Sequence, residues 1–61
     1  MKIYSKAVAI NEAKECQRLM GGIWCVVEYP TDFEVVQESN IQRIEKDNII
    51  FRTEGGKEVA A

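Results

Sequence analysis

The sequence predicts an α+β domain in which a small antiparallel sheet curls against one short helix. Three observations lead there. A glycine pair, Gly21-Gly22, closes a short run with helical spacing. Two apolar runs, Ile23 to Tyr29 and Phe33 to Gln37, flank the turn sequence Pro30-Thr31-Asp32. Further short apolar runs follow at hairpin spacing. The 61 residues are enough for a single domain, 1–61, and too few for two. A chain this short buries only about 60% of its unfolded surface, so every apolar contact matters.

Lys2 to Ile10 reads as a strand, because Ile3, Tyr4, Val8 and Ile10 suit one, although their alternation is imperfect. Asn11 then stands where a helix N-cap belongs, with Glu12 and Glu15 in the first turn, where the positive end of the helix dipole favours them. Ala13, Cys16, Leu19 and Met20 fall at i, i+3, i+6 and i+7 and form one apolar stripe. Lys14, Gln17 and Arg18 fall on the other side. The predicted helix is therefore Glu12 to Met20, stopped by glycines that tolerate a left-handed backbone.

Ile23 to Tyr29 is nearly continuously apolar, the signature of a central strand or one covered on both faces. A three-residue loop returns the chain through Phe33 to Gln37. It pairs Tyr29 with Phe33, Val27 with Val35 and Val26 with Val36. Glu38-Ser39-Asn40 breaks the chain again. Ile41 to Glu45 and Ile49 to Thr53 read as a hairpin around Asp47-Asn48. Gly55-Gly56 is a second candidate turn, with a short return through Lys57-Glu58-Val59. The predicted order is β-α-β-β-β-β, about five strands in a meander. The alternative is a small SH3-like barrel with the helix plugging one end.

The catalytic inventory is bare. The chain has no histidine, so ordinary Ser-His or Cys-His activation of a nucleophile is not expected. Two cysteines without histidine argue against a structural zinc site. The glycine pair follows the helix instead of preceding it, the wrong side to cradle phosphate. The expectation is a protein that is not an enzyme, with no catalytic residue, cofactor or metal. Cys16 and Cys25 read as small buried hydrophobes with free thiols. The N-terminal run Ala7 to Ile10 is too short for a signal-peptide core, which points to a cytoplasmic setting. No apolar stretch approaches the roughly 20 residues that span a membrane.

Charge is unevenly placed. Ten acidic and eight basic residues give a net charge of −2, against generic binding of nucleic acid through its phosphates. Between Arg18 and Arg43 there is no basic residue, and that window holds Glu28, Asp32, Glu34 and Glu38. In the predicted register Glu28 and Glu34 lie directly opposite each other. Paired like charges destabilise a sheet by up to about 1 kcal/mol. Three readings compete: a solvated strand face, a docking surface for a basic protein, and a carboxylate pair for a cation. Docking is the leading functional expectation, because complementary charge speeds encounter and sets specificity.

An acidic, catalytically bare domain of this size fits the small regulators and inhibitors common in bacteria and their phages. One target class is a nucleic-acid-handling protein whose basic groove the acidic hairpin blocks as a phosphate mimic. The alternative is a single-stranded nucleic-acid-binding module in which Trp24 stacks on bases and Arg43 and Arg52 meet phosphates. A third reading is a homodimer that pairs an exposed strand edge.

Overall fold

The computed structural model describes residues 2–53, apart from the side chain of residue 44. Helix α1 (Lys6–Met20) is followed by strands β1 (Trp24–Glu28) and β2 (Phe33–Gln37). Two 3₁₀ segments, Glu38–Asn40 and Arg43–Asn48, lead to strand β3 (Ile49–Arg52). The three strands form an antiparallel sheet in the order β2-β1-β3, and Ile3 adds one isolated bridge to Phe33 at the outer edge of β2. The α+β class therefore holds. The five-strand β-α-β-β-β-β order is not seen among the described residues, which make an open three-stranded sheet and not a barrel.

The first correction lies at the N-terminus, where helix replaces most of the predicted strand. The N-cap is Ser5, not Asn11; its backbone is extended and its hydroxyl accepts a hydrogen bond from the Val8 N–H at 3.4 Å. With the start moved back, Asn11, Glu12 and Glu15 sit inside the helix, beyond its first turn. Fifteen residues make a rod of about 22 Å at 1.5 Å per residue. The β-branched Val8 and Ile10 favour strand only weakly, and tertiary packing overrides that preference. What decides the start is Ala9. One turn before Ala13 on the same helical stripe, it is fully buried with Ala13 against the sheet. The predicted end holds: Gly21 N–H donates to the Gln17 carbonyl at 2.8 Å, and Gly21 adopts φ 73° and ψ 179°, a conformation close to glycine-only.

The second correction is register. β1 and β2 pair Trp24 with Gln37, Cys25 with Val36, Val26 with Val35, Val27 with Glu34 and Glu28 with Phe33. That is one residue away from the predicted pairing. A slip of one sends each side chain to the other face, because the strand repeat is two. The observed register puts Trp24, Val26, Phe33 and Val35 together on the helix side, where they join Ile3, Ala9, Ala13, Ile50 and Phe51 in the core. It also separates Glu28 from Glu34: Glu28 shares a face with Phe33, and Glu34 shares the opposite face with Val27.

The third correction concerns residues 41–48. Ile41 to Glu45 is no strand; Arg43–Asn48 is 3₁₀, so there is no hairpin around Asp47-Asn48. The segment begins at a reciprocal cap. Glu45 accepts from the Gln42 N–H at 2.9 Å, and the Gln42 side chain caps the Glu45 backbone. A local cap of this kind satisfies backbone donors without a partner strand. β3 then pairs with β1 through a bulge: Val26 faces Phe51 but Val27 faces Ile49. The extra residue lets Ile50 and Phe51, neighbours in sequence, both enter the same core. Beyond β3, Thr53 is buried; its hydroxyl accepts from Trp24 N–H at 2.8 Å and its own N–H donates to the Trp24 carbonyl at 2.9 Å. The predicted Gly55-Gly56 turn and Lys57-Glu58-Val59 return lie outside the described residues.

Candidate functional site

The sheet has a second buried side. Cys25 and Val27 are fully buried yet do not belong to the helix-side core. They alternate with Val26 along β1, so they face away from the helix, and the Arg43–Asn48 segment lies against β1. Just beyond β1, Tyr29 continues the Cys25–Val27 alternation. Its N–H donates to the Asp32 carbonyl at 2.8 Å and closes the turn through Pro30. Its phenol donates a short hydrogen bond to Glu45, whose other carboxylate oxygen is the one that caps Gln42.

The electrostatics around that phenol define the candidate site. The hydrogen bond to the Glu45 carboxylate is the main reason the Tyr29 pKa is pushed up to about 12; burial adds to it, and the negative charges of Glu45, Glu34 and Asp32 add further. Tyr29 thus marks a place that three carboxylates reach electrostatically. The same phenol, with the Gln42 N–H, holds the Glu45 carboxyl below the usual carboxylate range. Among the described residues, no group of three or more histidine, cysteine, aspartate or glutamate side chains is arranged to hold a metal ion.

The four predicted docking residues meet different fates. Asp32 is tucked in, with its side chain 12% exposed, 3.9 Å from the Lys2 ammonium. Glu38 forms an ion pair with Arg52. Two of the four charges therefore meet cations from outside the hairpin. Glu28 and Glu34 are exposed, and neither makes an ion pair among the described residues. Only Glu34 lies with Asp32 in the field at Tyr29; Glu28 faces the helix side.

The alternative set, Trp24, Arg43 and Arg52, is not brought together on one face. Trp24 packs on the helix-side core, and its indole N–H donates to the Gly21 carbonyl at 2.9 Å. Arg52 pairs with Cys25 across the sheet, on the other face. Arg43 is exposed in the 3₁₀ segment. Both cysteines are free thiols. Burial pushes the Cys25 thiol up, with Glu38 adding and Arg52 opposing; burial also raises Cys16, with Glu12 and Glu15 adding. Neither is poised as a thiolate nucleophile. No helix among the described residues is long and apolar enough to cross a membrane. No protein-family model, curated protein or solved structure matches the chain.

Sequence reasoning missed Tyr29 and Glu45. They stand 16 residues apart, and the only local hint is that a half-buried tyrosine hydroxyl needs a polar partner. The link has a titration signature. Tyr29 holds its proton more tightly when folded, so its contribution to stability is complete below the ordinary tyrosine range and is lost as pH rises toward about 12. Glu45 is the mirror case: its contribution is present above the ordinary glutamate range and is lost as pH falls through its lowered folded value. Ultraviolet titration of phenolate absorbance is expected to show a late step near pH 12 that Tyr29→Phe removes. If the step that Tyr29→Phe removes lies in the ordinary tyrosine range, the linkage is contradicted.

Proposed function

We propose that this protein is a non-catalytic interaction module, a small regulator or inhibitor that works in the cytoplasm by docking an acidic surface onto a basic surface of a larger protein. The single observation that supports this reading is the exposed Glu34 on the Val27 face of the sheet, the face on which Glu45 meets Tyr29. Glu34 is exposed and makes no ion pair among the described residues, and it is the main contact. Glu28, on the opposite face of the sheet, contributes less, as do Asp32 and Glu38, which cations of the chain already meet. A basic groove that handles nucleic acid is a suitable target, since clustered carboxylates present it with charge of the same sign as phosphate. Electrostatic complementarity of this kind raises the association rate and falls with salt.

The test is affinity capture from the native host at two ionic strengths with the unmodified protein, Glu34→Lys and Glu28→Lys. Glu34→Lys is expected to weaken retention of the captured protein at least about tenfold, because it sets like charges against each other. Glu28→Lys is expected to do less. Retention of the same protein by Glu34→Lys, with the same salt dependence, overturns the reading.

A further inference from the structure

We propose that residues 38–48 form a strap that opens as a unit from the far face of the sheet while the helix and the three strands stay folded. The inference is independent of what docks at the acidic patch. It begins with how the strap is built. Its two regular pieces are 3₁₀, whose hydrogen bonds have poorer geometry than those of an α-helix or sheet ladder. Its backbone bonds run inside itself: Ile41 N–H to the Glu38 carbonyl at 3.2 Å, and Glu45 N–H to the Gln42 carbonyl at 2.9 Å. The anchor to the sheet is at its first residue, where Glu38 N–H donates to the Ile23 carbonyl at 2.8 Å. Among the described residues the strap can therefore lift without breaking a rung of either strand pairing.

Two polar clasps close it. At one end Glu38 meets Arg52 of β3, and toward the other Glu45 meets Tyr29 beyond β1. Most strap side chains between these clasps are exposed. An open groove of about 560 Å³, lined by Glu38, Ser39, Ile41, Lys46 and Ile49, runs along it. A segment tied to the sheet by one backbone anchor, one exposed ion pair and one half-buried hydrogen bond, with its other backbone bonds internal, belongs to the low-stability end of a structure. The segment lies against β1, where Cys25 and Val27 are fully buried on the face away from the helix. Opening the strap therefore uncovers a thiol and an apolar strip while the helix-side core, formed by different residues, remains intact.

Cys25 supplies the readout. In a Cys16→Ser chain it is the one remaining thiol, and its alkylation by iodoacetamide reports every opening that reaches it. Labelling at low urea is expected to outrun global unfolding, followed by helix circular dichroism, and to depend only weakly on urea. Tyr29→Phe removes one clasp and is expected to raise the low-urea rate about tenfold, the size of effect of one hydrogen bond to a charged group. Ala9→Gly weakens the helix side and leaves that low-urea rate unchanged. Amide exchange on the chain with both cysteines gives a second measure: the Ile41 and Glu45 amides speed up in Tyr29→Phe while Val26 does not. If Cys25 labelling follows global unfolding at every urea concentration, or if Tyr29→Phe changes Ile41, Glu45 and Val26 alike, the strap is part of the global unit and the proposal fails.

Discussion

Phe51→Ala is expected to leave the chain unfolded at room temperature. Phe51 is 2% exposed and sits opposite Val26 at the centre of the helix-side core. The Lys14 ammonium lies 5.9 Å from its ring centroid and covers it from the helix. Truncating a buried phenylalanine costs about 3–5 kcal/mol. A chain of this length has roughly 3–9 kcal/mol of total stability. The loss is thus comparable to everything that holds the fold together. Far-ultraviolet circular dichroism and a thermal melt give the answer. A cooperative melt close to that of the unmodified protein would refute the central place assigned to Phe51.

Ala13→Leu is expected to destabilise by about 1–3 kcal/mol, the usual cost of forcing methylenes into a filled contact. Ala9 and Ala13 are both fully buried where α1 crosses the sheet, so small side chains set how closely the helix approaches. Larger ones push helix and sheet apart and loosen Val26, Ile50 and Phe51 together. Leu19→Ala and Met20→Ala make the contrast, each changing stability by less than about 0.5 kcal/mol, as surface positions do. The two side chains are 69% and 65% exposed, at the end of the helix. Urea denaturation of the three variants discriminates. Equal losses at Ala13 and Leu19 would mean that the helix is rotated from the packing described here.

The contrast shows how the sequence misled. Leu19 and Met20 are the larger apolar residues of the predicted stripe, and composition makes them core. Spacing alone says which residues share a helix face; it does not say how far along the helix the sheet extends. Ala9 was invisible for a related reason. Alanine carries little hydrophobic signal, so its burial follows from close approach and not from its side chain's own demand for burial. Val8 and Ile10 beside it carry the β-branched signal of a strand, although Ser5 before them is by residue type a good helix cap.

The acidic site was half legible. The basic-free window from Arg18 to Arg43 is plain in the sequence, and Glu34 within it is exposed and makes no ion pair among the described residues. Its pairing with Glu28 depended on a register that slips by one when a loop gains or loses a residue, and the observed register moves the two carboxylates to opposite faces. The withdrawal of Asp32 and Glu38 could not be read locally, because Lys2 and Arg52 come from distant positions. The recruitment of Glu45 to Tyr29 depends equally on the path of residues 38–48.

By itself, then, the sequence determined the α+β class, the stop at Gly21-Gly22, the limits of β2 and the absence of histidine chemistry. Each of these rests on local properties: the backbone freedom of glycine, the alternation of a strand, or a missing side chain. Tertiary structure decided the start of α1, the register of β1 on β2, the 3₁₀ path in place of a hairpin, and the carboxylates that gather at Tyr29. Those outcomes turn on which surfaces meet. Burying Ala9 and Ala13 under the sheet, and both Ile50 and Phe51 through one bulge, favours a single arrangement that no short window of residues contains.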